Sequence, residues 1–229
     1  MRRTLGIVAI AGMLAGAAPA LAGQLVVLEA RGTALKQGES VDDSKPLTLK
    51  EGEEVTLVAD DGSVVTLHGP YDRAPTAGGS DAAVLALDAL TTRTAQRNVA
   101  GVVRDATVEV HLPNPWLVDV SHPGAACLKN GERPVFWRVG SEGGTLTIMP
   151  SDRSWSAEAP WPRGATTLEA PDYFPIRDGR TYLASFGGNE VAVTVNVLPA
   201  ALGNARMQAA WMLEKGCVAQ AQALIKTVR

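Results

Sequence analysis

Hydrophobic and polar positions alternate with a period of two along most of this chain, and the alternation is cut into short pieces by Gly, Asp, Asn and Pro. Between Leu25 and Tyr71 the pieces are Leu25–Leu28, Leu47–Leu49, Val55–Val58 and Val64–Leu67, with a shorter Ala34–Glu39 segment ending in a turn signal. A period of two puts every second side chain on one face, so Leu47 with Leu49, and Val55 with Leu57, share a buried side. Asp60-Asp61-Gly62-Ser63 separates two of the runs with an Asp-Gly pair that accepts positive φ and so favours a hairpin. The pattern predicts a compact antiparallel unit of about five strands.

After a Pro-, Gly- and Ala-rich stretch at 72–80 the period changes. Ser80 or Asp81 is placed to cap, and Ala83, Val84, Ala86, Leu87 and Leu90 form a stripe at helical spacing that predicts a helix from Ala82 toward Arg97. From Thr107 the period of two returns. Thr107–Leu112, Trp116–Val120, Ala125–Leu128, Val135–Val139, Thr145–Met149, Ala165–Leu168, Thr181–Phe186 and Val191–Leu198 read as strands, separated by turn signals such as Asn130-Gly131 and Gly187-Gly188-Asn189. Strands at this spacing predict a β-sandwich of immunoglobulin-like shape, with Tyr182 placed to bond the backbone of the Asp172–Gly179 corner. The tail is helical again. Asn204 caps a helix running to Lys215, Gly216 supplies a left-handed stop, and a second helix follows from Cys217 to Val228. One such pair cannot bury its own apolar face, so it is expected to dock on the sandwich.

The strand-and-glycine pattern at 25–71 resembles the FecR-like domain, a β-rich periplasmic module. The resemblance rests on Gly32 after the first strand, Leu35-x-x-Gly38, Leu47-x-Leu49-x-x-Gly52-x-x-Val55-x-Leu57, Asp61-Gly62 and Leu67-x-Gly69-Pro70. It implies an exported protein with such a module at its N-terminal end. Members that transduce signals also carry a membrane span, whereas no second apolar stretch here has the length for one. The fold expected is therefore mainly β: a targeting segment at 1–22, the module at 23–71, a linker and helix at 72–104, a sandwich at 105–200 and a helical tail at 201–229.

Charge and cysteines place the chain. Arg2 and Arg3, the apolar run Leu5–Ala18 and Ala20-Leu21-Ala22 predict a secretory segment cut after Ala22. Gly23, not Cys, follows the cut, so no lipid anchor is expected. The formal net charge is −3, and removal of Arg2 and Arg3 leaves the mature chain more acidic, which argues against nucleic acid and anionic lipid as partners. A periplasmic or secreted location makes Cys127 and Cys217 a disulfide pair.

Chemistry is sparse by comparison. The three histidines are His68, His111 and His122. Glu109 and His111 share a strand face but lack a nearby third ligand, so no metal is expected. Asp119, Ser121 and His122 carry the residue types of a hydrolytic triad in one short run, without a Gly-x-Ser-x-Gly elbow. No phosphate loop or dinucleotide fingerprint occurs, and no cofactor is expected. Trp155 and Trp161, set among Ser, Pro, Arg and Glu, are the candidates for a stacking surface. The function expected is non-enzymatic: an exported binding, sensor or scaffold protein whose partner is an envelope protein or polymer. The alternative is a hydrolase of an envelope polymer that uses the Trp-bearing loops as a platform.

Overall fold

The computed structural model describes residues 23–75, 82–85, 87, 89 and 110–228. Its first strand explains the rest. Leu25-Val26-Val27-Leu28 lies in β1 (Gln24–Arg31), and all four side chains are buried. Neighbours in a strand point to opposite faces, so a strand buried on both needs an apolar layer on each side. Leu25 and Val27 meet Leu49, Leu57, Leu67 and Tyr71. Val26 and Leu28 point the other way, into a core built largely by the C-terminal helices.

The strands that follow are β2 (Ser40–Asp42), β3 (Leu47–Leu49), β4 (Glu54–Val58), β5 (Val64–His68), β6 (Tyr71–Arg73) and β7 (Ala82–Leu85). Five of them make an antiparallel sheet in the order β2-β1-β4-β5-β7, and β3 pairs with β6 as a small ribbon. The β4–β5 hairpin turns on Gly62 at φ +83, with Asp61 Oδ1 accepting from the Ser63 N–H at 2.8 Å. Ala82–Leu85 corrects the expected helix: it is a strand paired with β5 over Val64–Leu67. A short Ala- and Leu-rich run fits either period, and the open hydrogen-bonding edge of β5 decides it. Of the rest of the expected helix, Leu87 and Ala89 are helical and the other residues lie outside those described. The first β unit thus extends past Tyr71, through β6 and β7.

The second unit contains β8 (Leu117–Asp119), β9 (Gly124–Leu128), β10 (Val135–Trp137), β11 (Gly144–Pro150), β12 (Ala157–Trp161), β13 (Thr167–Glu169), β14 (Thr181–Phe186) and β15 (Asn189–Val197). A three-stranded sheet, β13-β10-β8, faces a five-stranded sheet, β12-β11-β14-β15-β9. Val118 and Phe136 from the first meet Leu146, Ile148, Ala184 and Val193 from the second in one core. Two pairs, β8 with β10 and β9 with β15, are parallel. Tyr182 makes the expected corner: its hydroxyl accepts from the Arg177 N–H at 2.7 Å and donates to the Pro175 carbonyl at 3.2 Å. The strand expected at 107–112 lies mostly outside the described residues, and His111 and Leu112 are not in a strand. The strand β12 has no counterpart in the sequence reading, because Ala157-Glu158-Ala159-Pro160-Trp161 alternates small and polar residues rather than large apolar ones.

The chain ends in two helices, α1 (Ala205–Glu214) and α2 (Val218–Thr227), joined through Gly216 at φ +80. Asn204 Oδ1 accepts from the N–H groups of Arg206 and Met207, each at 3.0 Å, satisfying helix-end donors. Its Nδ2 donates to the Asp60 carbonyl at 3.1 Å, so the same cap ties α1 to the β4–β5 hairpin. A Cβ on Gly62 would lie 3.1 Å from the Arg206 carbonyl, which is how closely that hairpin approaches. The expectation that the tail docks on the sandwich is thereby enlarged. Met207, Trp211, Leu213 and Leu224 form one core with Val26, Leu28, Val58 and Val64 of the first sheet and with Cys127 of the second unit. The helical pair is shared interior, not an appendage. The fold is mainly β, with several sheets and a C-terminal helix pair.

Candidate functional site

Cys127 and Cys217 are bonded, with Cα atoms 6.0 Å apart. The bond joins β9 to the start of α2. One turn further along, Gln220 is buried at 3 % exposure. Its Oε1 accepts from the Cys127 N–H at 2.6 Å, and its Nε2 donates to the carbonyls of Cys127 at 2.8 Å and Pro115 at 2.9 Å. β9 is the edge of its sheet, and an edge leaves main-chain groups unpaired. The side-chain amide of Gln220 acts there as a single residue of a further strand. Sequence reading did not find it, since a Gln in an Ala-rich helix resembles a solvent position.

Of the two tryptophans, Trp161 is closed to a stacking ligand. Trp161 is 2 % exposed in β12, and its Nε1 donates to the Ala165 carbonyl at 3.0 Å. Its ring meets Phe186 edge-on, centroids 5.6 Å apart. Trp155 is partly buried against the sandwich core, 6.0 Å from the Tyr182 ring. This corrects the expectation for Trp161: polar neighbours in sequence belong to the outward face of a strand, and the indole belongs to the inward one.

The histidines occupy separate places. His68 Nδ1 lies 3.1 Å from Glu54 Oε2, across the β4–β5 pair. His122 Nδ1 lies 2.8 Å from Asp119 Oδ2, whose other oxygen accepts from the Ser121 N–H at 2.7 Å. The Ser121 hydroxyl accepts from the Val139 N–H at 3.2 Å. Among the described residues no hydrogen bond joins Ser121 to His122, so acid and imidazole are paired while the hydroxyl holds a loop. Glu109 lies outside the described residues, and among those described no three His, Cys, Asp or Glu gather as metal ligands.

A cleft of about 460 Å³ opens beside this loop, lined by Val120, Ser121, Arg138, Glu142, Phe186 and Asn189 among others. That is within the range of small-molecule sites, roughly 300–1,000 Å³. Its singular residue is Arg138, a cation only 3 % exposed. The guanidinium carbon sits 4.3 Å from the Phe186 ring centroid and 5.0 Å from that of Trp161, an arrangement that cation–π attraction favours. Nη1 donates to Glu142 Oε2 at 2.9 Å and Nη2 donates to the Glu142 carbonyl, while the buried Nε has no partner among the described residues. Glu142 itself is 76 % exposed. Hydrogen bonding from its own backbone N–H, and then from Arg138, holds its carboxyl below the usual carboxylate range. The loop backbone makes this approach possible: a Cβ on Gly140, which sits at φ +97, would meet Glu142 Oε2 at 2.5 Å. A Cβ on Gly144 would meet Phe186 at 3.0 Å. Arg138 follows Phe136 on the same face of an alternating run, and an arginine at a core-facing position was the visible signal.

A scan against protein-family models finds none that matches the chain, and a search of curated proteins finds no match.

Proposed function

We propose that this is an exported, non-enzymatic binding protein of the cell envelope, a sensor or scaffold, with a FecR-like N-terminal β unit. The observation that carries the binding part is the Arg138 cleft: a buried, ring-stacked cation with spare donors, whose ionic partner is a solvent-exposed side chain. The targeting pattern at 1–22 supports export, and the Cys127–Cys217 bond agrees with an oxidising compartment. The competing hydrolase reading draws on the Asp119–His122 pair, but among the described residues no hydroxyl is bonded to that imidazole.

The test is a titration of isotope-labelled mature protein with a mixed panel of neutral, cationic and anionic fragments. The amide signals of Thr145, Phe186, Gly187 and Asn189 should move together. A panel that leaves all four unmoved removes the cleft as a binding site. Turnover of an envelope polymer, abolished by His122→Ala, would replace the binding reading with the hydrolytic one.

A further inference from the structure

We infer that the Arg138 cleft is a carboxylate-recognition site, and that Glu142 is its built-in occupant, displaced when an external carboxylate arrives. This rests on the binding reading above and names the ligand class. Four observations carry it. The cation is buried against two aromatic rings, while its partner stands in solvent. A guanidinium offers paired N–H groups in a fork that matches a carboxylate, yet of its two hydrogen bonds to Glu142 one goes to the main-chain carbonyl rather than to the second carboxylate oxygen. Nε, buried, has no acceptor among the described residues. The competing side chain stands mostly in water, where an ion pair contributes little and exchanges readily.

The cleft also shows what else the ligand carries. Val120 and the Phe186 ring give an apolar wall, and Ser121 and Asn189 give a polar rim. An aromatic or aliphatic group bearing one carboxylate fits that lining. A small organic acid and the free C-terminus of a peptide share this chemistry.

The experiment uses the mature protein and the variant Glu142→Gln, which changes an exposed side chain and leaves the core intact. The probes are benzoate, benzamide, N-acetylphenylalanine and N-acetylphenylalanine amide, followed by amide chemical shifts. Benzoate should shift the signals of Thr145, Phe186 and Asn189 where benzamide does not. Glu142→Gln should tighten benzoate by roughly two- to five-fold, the size of an exposed pair removed from competition. N-acetylphenylalanine binding where its amide fails, and more tightly than benzoate, would assign the peptide end as the source; the reverse order would assign a free acid. If neutral fragments move the cleft signals as strongly as benzoate, the carboxylate assignment falls and the binding reading stands. If benzoate shifts the cleft but Glu142→Gln leaves its affinity unchanged or weaker, the displacement of Glu142 falls. If no probe moves these signals in either protein, both are overturned.

Discussion

Replacing Gln220 by Leu isolates the interaction that closes the edge of the sandwich. The two side chains have similar volume, so little of the effect is a cavity. What changes is pairing. The Cys127 N–H, the Cys127 carbonyl and the Pro115 carbonyl lose their partner, and both residues are buried. An unmet buried polar group costs about 1–3 kcal/mol, so the three together cost roughly 3–6 kcal/mol once their non-additivity is allowed for. Leu recovers about 1–2 kcal/mol by taking an amide out of an apolar setting. The net loss expected is about 2–4 kcal/mol, a large share of the 5–15 kcal/mol typical of a folded domain, roughly speaking. Urea unfolding of the oxidised protein measures it, with the slope checked for constancy. The Cys127 amide should also pass from slow to fast hydrogen exchange. A loss below about 1 kcal/mol with that amide still protected would refute the claim that Gln220 serves as a strand surrogate.

Three further outcomes follow from the same packing. Reducing the disulfide, whose cysteines are 90 residues apart, should lower stability by about 4–5 kcal/mol, yet exchange protection across α1 and α2 should persist under native conditions because Trp211, Met212 and Leu213 remain buried; selective loss of that protection would show the bond, not the core, holds the tail. Trp211→Ala should cost about 3–5 kcal/mol, whereas Trp211→Phe should cost less than about 1.5 kcal/mol, since the buried Nε1 it removes has no partner; equal costs in thermal unfolding would contradict this. The Ser44 hydroxyl, then Lys45 and the Ser44 N–H, hold Asp42 down from 3.8 to about 2, so its folded value lies below its unfolded one and its contribution is present above pH 3.8 and fades as pH falls through about 2. Asp42→Asn should flatten that acid limb of the melting-temperature profile, and an unchanged slope would count against the assignment.

The strands that were legible in the sequence are those in which large apolar residues alternate, such as Thr181–Phe186 and Val191–Val197. The helix ends at Asn204 and Gly216 were legible because capping and left-handed backbone have local chemical requirements. Ala82–Leu85 was misread because a four-residue run has no period of its own and takes the structure of the edge beside it. Of the cleft, only the core-facing arginine left a local signal, for a related reason. Arg138 and Glu142 are close in sequence, but Phe186 reaches them only through sheet pairing, and nothing local announces it. Leu25–Leu28 was read only as a strand; its being apolar at every position is the local mark of a strand covered on both faces, and nothing in it says that the second layer is helical.

That second layer has a consequence in time. Strands β1, β4 and β5 are made well before the helices that cover Val26, Leu28, Val58 and Val64. A growing or truncated chain ending before Ala205 therefore carries a finished hairpin sheet with one bare apolar face. Until the helices arrive that face is open to water, and in this interval association with other chains competes with folding.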